Sequence, residues 1–168
     1  NELFKISEQA SYDFYNTTKS ILENNKMAQY EISNFAKLGW QCLHNLIYWK
    51  SENWYGIGPG SISRLWDNFN NRVEIENFKK PETWLEGVKS KSNLFKKITI
   101  VKEQVSNFDT LFMGLRLNNG IEIKKLKNYN FLNSKLFFDL LNNDVLKIVD
   151  KKIRVDKNYF IKLDTIMN

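Results

Sequence analysis

Apolar positions in the first 25 residues, at Leu3, Phe4, Ala10, Phe14, Ile21 and Leu22, are spaced mostly by three, four or seven. That spacing predicts one buried stripe on a helix over 2–25, closed by Asn24-Asn25. Over 27–33 the pattern changes to period two, with Ala28, Tyr30 and Ile32 set against Gln29, Glu31 and Ser33, as a strand requires. A helix leading into a strand is half of an α/β repeat. Parallel strands are covered by helices on both faces, so such a half-repeat calls for more chain before it. From 34 to 54 the period is lost among Gly39, His44, Asn45 and a crowd of Trp and Tyr, which predicts a structured aromatic loop. Gly56, Gly58, Pro59 and Gly60 then mark a turn or tight packing corner. A short strand is predicted over 72–76, a helix started by Pro81, and a connection over 90–97.

The last 70 residues predict a small separate unit. Ser106 would cap a helix to Leu117, stopped by Asn118-Asn119-Gly120, and a short helix would follow over 122–129. A third helix, capped by Asn133 or Ser134, carries Leu136, Phe137, Phe138, Leu140 and Leu141. Strands over 146–149 and 152–155 would meet in a tight turn at Asp150-Lys151, with a final helix over 158–167. Three helices followed by a hairpin is the winged-helix order.

The 168 residues and 20.0 kDa allow one domain or two small ones, and 42% hydrophobic with 14% aromatic content places the chain among folding sequences. Twenty-five basic against 19 acidic residues give a net charge of +6 and a pI near 9.3, a balance that suits anionic partners. The basic set, however, is 21 Lys and only 4 Arg beside 22 Asn, a compositional bias more than a phosphate-reading design. One cysteine, Cys42, excludes an internal disulfide and a self-contained iron-sulfur cluster, and one histidine, His44, excludes a multi-histidine metal site. The longest uncharged run, 38–49, is too short to span a membrane, for which roughly 18 apolar residues are needed. With neither an initiating methionine nor a charged-then-apolar leader, the chain reads as starting within a longer protein.

The most unusual string is Cys42-Leu43-His44-Asn45-Leu46-Ile47-Tyr48-Trp49. An imidazole there can ligate one haem iron axially, since the porphyrin supplies the four in-plane nitrogens, while aromatic rings stack on the macrocycle and Tyr and Asn meet its rim. The plainer alternative is a capping or hydrogen-bonded histidine in an aromatic loop. The glycine-rich segment fits neither a dinucleotide fingerprint nor a P-loop and reads as a packing corner. Lys147, Lys151, Lys152, Arg154 and Lys157 would cluster on the hairpin, yet the helix over 134–141 exposes little besides Lys135 and Asp139, which disfavours base readout by a nucleic-acid-binding winged helix. No triad forms around His44, whose nearest acids are Glu31 and Glu52, and Glu74 with Glu76 read as a solvated strand edge. The chain alone does not read as an enzyme.

Taken together, Tyr30-Glu31-Ile32-Ser33-Asn34-Phe35-Ala36-Lys37, His44-Asn45-Leu46-Ile47-Tyr48-Trp49, Gly56-Ile57-Gly58-Pro59-Gly60 and Phe112-Met113-Gly114-Leu115-Arg116-Leu117 resemble the HemW-type haem chaperones. These are radical S-adenosylmethionine proteins related to oxygen-independent coproporphyrinogen III oxidase. The resemblance covers nearly the whole chain. It implies the closing part of a radical S-adenosylmethionine barrel and a small carboxy-terminal domain. The CxxxCxxC loop holding a [4Fe-4S] cluster and S-adenosylmethionine would then lie upstream, in the full-length parent only. It also implies that His44, Asn45 and Tyr48 bind haem, with His44 on the iron and Trp49 as a neighbour. Two positions depart from the pattern: Ser61-Ile62-Ser63 stands where many relatives carry a histidine, and Leu38 where a proline is expected. The Ile62-Ser63 wording is closer to the oxidases, so both branches stay open.

The expectation is therefore an α+β chain. Residues 1–66 would be the end of the barrel with its last helix and strand, 67–105 a connection, and 106–168 a HemN-type, winged-helix-like domain. Its expected partners are haem, a haem-accepting protein and its own upstream barrel, in the cytoplasm or peripheral to a membrane. The alternative function is part of a coproporphyrinogen III oxidase in porphyrin biosynthesis.

Overall fold

The structure is a computed structural model that describes residues 7–127, 129–160 and 163. It falls into two compact units, Asn1–Cys42 and Leu43–Asn168. In the first, helix α1 (Glu8–Asn24) starts where Ser7 accepts a hydrogen bond from the Ala10 amide at 3.1 Å. It ends at Asn25, ahead of Lys26 in the left-handed region (φ 62°). Leu3 and Phe4 lie outside the described residues. The rest of the expected stripe is not covered within this unit: no α1 residue is buried, and Phe14 and Ile21 are exposed.

The strand expected over 27–33 is reduced to β1 (Ala28–Gln29), which pairs antiparallel with β2 (Phe35–Ala36). The buried side is the polar one, the reverse of the period-two reading. Gln29 is buried because its Nε2 donates to Tyr15 Oη and, at 2.8 Å, to Ile32 O. Glu31 is 1% exposed because its carboxylate accepts the Ser33 amide (3.0 Å) and Asn34 Nδ2. Side chains that satisfy the local backbone go inward and displace the apolar alternation.

In the second unit the expected aromatic loop contains a helix, α2 (Leu43–Trp49). Ser51, at φ 52°, stops it: the Ser51 amide donates to Tyr48 O at 2.9 Å and the Glu52 amide to Ile47 O at 3.0 Å, the two bonds of a Schellman end built without glycine. Strands β3 (Ile62–Trp66), β4 (Arg72–Asn77) and β5 (Phe95–Ile100) form an antiparallel sheet in that order, with α3 (Pro81–Ser90) between the last two. Pro81 opens α3 as expected. The connection expected over 90–97 is in part β5, whose apolar Phe95, Ile98 and Ile100 are masked in sequence by Lys96 and Lys97. Register places Arg64, Trp66, Arg72 and Glu74 on one face and Leu65, Val73, Ile75, Ile98 and Ile100 on the other.

The remainder keeps the first helix, the third helix and the hairpin of the expected order but not its middle helix. Helix α4 (Glu103–Leu115) begins three residues before the expected Ser106 cap, so Ser106 is buried inside it. Strand β6 (Ile121–Glu122) follows, and the short helix expected over 122–129 is replaced by two 3-10 turns, Ile123–Lys125 and Asn130–Asn133. Helix α5 (Lys135–Asn142) and strands β7 (Leu146–Val149) and β8 (Lys152–Val155) stand where sequence puts them. The hairpin turns through Asp150 and Lys151, both at positive φ (52° and 61°), and the sheet order is β6-β8-β7. Leu111 and Leu115 of α4 form the core with Ile121, Leu146 and Ile153, none more than 2% exposed. Most of the final helix expected over 158–167 lies outside the described residues.

Ser134 caps α5, accepting the Phe137 amide at 3.1 Å and donating to Phe131 O at 2.6 Å. Ser134→Ala is expected to lower stability by about 1 kcal/mol, read from the urea midpoint.

Candidate functional site

Helix α2 carries the candidate residues. His44 and Tyr48, one turn apart, share a face, with ring centroids 4.9 Å apart and planes at 70°. His44 is exposed and its imidazole makes no side-chain hydrogen bond among the described residues, whereas Asn45, Tyr48 and Trp49 are partly buried. Tyr48 in turn packs on Trp54 at 4.7 Å. Trp49 is not beside His44 in this arrangement. It turns toward α4, where the Arg116 guanidinium lies 4.9 Å from its ring, and Trp49 Nε1 is buried without a partner among the described residues. The cavity described below does not include His44.

What fixes α2 is a set of residues that sequence did not single out. Arg72, 5% exposed, lies between two indoles, 4.8 Å from each of Trp54 and Trp66. Its guanidinium donates to Ser51 O at 3.1 Å and Glu52 O at 3.2 Å, the carbonyls just past the end of α2. Burial, reinforced by the nearby positive charge of Arg64, pulls its pKa down to about 10, which leaves it charged at neutral pH. Arg64 joins Glu74 of β4 and Asp109 of α4, both at 3.0 Å. One signal in the sequence pointed this way: of only four arginines among 25 basic residues, three (Arg64, Arg72 and Arg116) lie over aromatic rings.

The other candidates settle into structural roles. The glycine segment is a packing corner: Asn77, buried, donates from Nδ2 to Gly58 O (3.0 Å) and Ser61 Oγ (2.9 Å). At Gly56 a Cβ would fall 2.5 Å from Ile62 O, so the backbones approach too closely for a side chain. Glu74 pairs with Arg64, and Glu76 with Lys96 at 3.3 Å. On the hairpin, Lys147 is held by Asp156 at 2.7 Å, and that bond raises the lysine pKa and lowers the aspartate's. Cys42 is an exposed free thiol.

No family model matches the chain. Relatives do. The heme chaperone HemW of Lactococcus lactis is 26% identical over 168 residues, 93% of this chain and 42% of that protein. The HemW of Synechocystis is 33% identical over 73% of this chain and 29% of its own length. A mitochondrial radical S-adenosyl methionine domain-containing protein 1 of Dictyostelium discoideum is 33% identical over 89% and 37%. The solved coproporphyrinogen III oxidase HemN of Escherichia coli, a radical SAM enzyme, superposes with a TM-score of 0.64 over 96% of this chain and 41% of its own.

The chain belongs to the HemW/HemN-like radical SAM family.

It corresponds to the carboxy-terminal part of those relatives and spans 29–42% of the three named by sequence. At 15% identity the likeness to HemN is one of fold, a mixture of helix and sheet with no closed barrel among the described residues. A radical SAM protein of this family implies a [4Fe-4S] cluster and S-adenosylmethionine in its full-length form. The residues of this chain do not fit such a cluster: Cys42 is the only cysteine, and among the described residues no three His, Cys, Asp or Glu side chains come together.

Proposed function

We propose that the parent protein binds haem through His44 and passes it to haem proteins, with this chain supplying the haem-facing helix. The observation that carries this is the exposed imidazole at the start of α2, which has no competing hydrogen bond among the described residues and is braced edge-on by Tyr48. In this role haem is cargo. His44 donates one axial bond, Tyr48 packs beside it, and Asn45 reaches the porphyrin rim. A single ligand on an open helix face leaves the other side of the iron free for a ligand from the accepting protein. The cluster and S-adenosylmethionine belong to the barrel upstream of this chain, and the protein works in the cytoplasm. Among the described residues no helix is long and apolar enough to cross a membrane. That several relatives are named heme chaperones supports the reading.

Adding haemin to the chain is expected to give a shifted Soret band, and His44→Ala to weaken binding at least tenfold, about 1.4 kcal/mol. Equal spectra for the two proteins would remove haem ligation from His44. The oxidase reading is favoured by one observation, the fold shared with HemN. Coproporphyrinogen turnover by the reconstituted full-length protein would establish it.

A further inference from the structure

Away from α2's exposed face, a cavity of about 410 Å³ opens between the segment after α2, the β3–β4 turn and the 3-10 turn that follows β6. One wall is Trp66, whose ring is fixed before any ligand arrives. Its Nε1 donates to Ser51 O at 2.8 Å, its amide donates to Asn53 Oδ1 at 2.7 Å, and Arg72, which does not line the cavity, covers one face of the indole. Thr110 of α4 also lines the cavity. It is a polar residue 3% exposed, and its hydroxyl is available as a short polar group on the α4 side.

Two cations stand at the rim, Lys125 and Lys127, against one lining carboxylate, Glu52. Lys125 Nζ reaches Lys50 O at 2.9 Å. The backbone of Lys127 is clamped by the buried side chain of Asn107, which accepts the Lys127 amide at 3.1 Å and donates to its carbonyl. Asn53 and Asn70 bring side-chain amides to the same space.

From this combination we propose that the cavity is a binding site for a nucleoside monophosphate. The base lies along Trp66 within reach of the Asn53 and Asn70 amides, the phosphate sits between Lys125 and Lys127, and the Thr110 hydroxyl supplies a hydrogen bond from the floor. The volume suits a ligand of that size, and a flat apolar wall with a few convergent polar groups is how small-molecule sites are built. The site makes no use of His44 and stands or falls apart from haem binding.

The test is a titration of the 168-residue chain with AMP, adenosine and inorganic phosphate, read by NMR at the Trp66 indole and the amides of 51–53 and 125–127. AMP is expected to saturate these shifts below about 10 mM, with adenosine and phosphate each at least about tenfold weaker. Lys127→Ala and Thr110→Val should each weaken AMP at least about fivefold while leaving the remaining spectrum folded. Shifts that map elsewhere, fail to saturate or are unchanged in Lys127→Ala would overturn the site. Phosphate binding as tightly as AMP would overturn the ligand class.

Discussion

Gly120→Ala is expected to cost the chain about 3 kcal/mol or more of stability, a large part of the 5–15 kcal/mol typical of a folded domain. Two effects add. Gly120 has φ +65°, a conformation that strains any residue with a Cβ, and a Cβ built there falls 2.1 Å from Ile153 O and 2.8 Å from Arg154 Cβ. The obstacle is mostly backbone of β8, the central strand of its sheet, so no rotamer change relieves it. To make room, β6 must move off β8, where Ile121 faces Ile153 in the core. Gly58→Ala separates the two effects: Gly58 has φ +103° but nothing within 4 Å of its Cβ, so only the strain remains, about 1 kcal/mol. Urea unfolding of both variants is the measurement, and equal midpoints would refute the clash at β8.

Where sequence and structure agree, local chemistry was sufficient. The hairpin β7–β8 was legible because alternation on both sides of Asp150-Lys151 leaves one register, and α5 because Ser134 marks its start. Pro81 did the same for α3. Helix α2 was hidden because its seven residues span only two turns, and its end is set by Ser51 in place of glycine. The polarity of β1 was inverted by side-chain to backbone bonds at Gln29 and Glu31, which no periodicity rule records. Of the candidate site, the His44 and Tyr48 pair was legible, since a four-residue spacing becomes a shared face once the segment is helical. The Trp54, Arg72 and Trp66 stack was not. Its members meet only after β3 pairs with β4 across the 67–71 turn, and Trp54 joins through its bridge to Arg64.

That stack carries the second large effect: Arg72→Ala is expected to cost about 3–5 kcal/mol and to loosen α2 before the sheet. Removing the guanidinium empties the space between two indoles, takes from the carbonyl of buried Ser51 one of its two donors, the other being Trp66 Nε1, and takes from Glu52 O the donor it has in Arg72. Arg72→Lys restores a charge but neither the planar fork nor the stacking on both rings, so it should recover no more than about half of the loss. The pKa of about 10 determines the pH profile. A base with a lowered folded pKa binds fewer protons when folded only above that value, so below it the folded and unfolded chains carry the same charge at this position. The cost of Arg72→Ala should accordingly be flat from about pH 6 to 8. Hydrogen exchange discriminates a local from a global role: amides of α2 should exchange faster in Arg72→Lys while those of β7 and β8 keep their protection. The haem experiment then follows by geometry, because His44 and Tyr48 share the helix that Arg72 holds at its far end. Arg72→Lys should weaken haemin binding with His44 intact, and unchanged α2 exchange together with unchanged binding would show that the helix is held by something else.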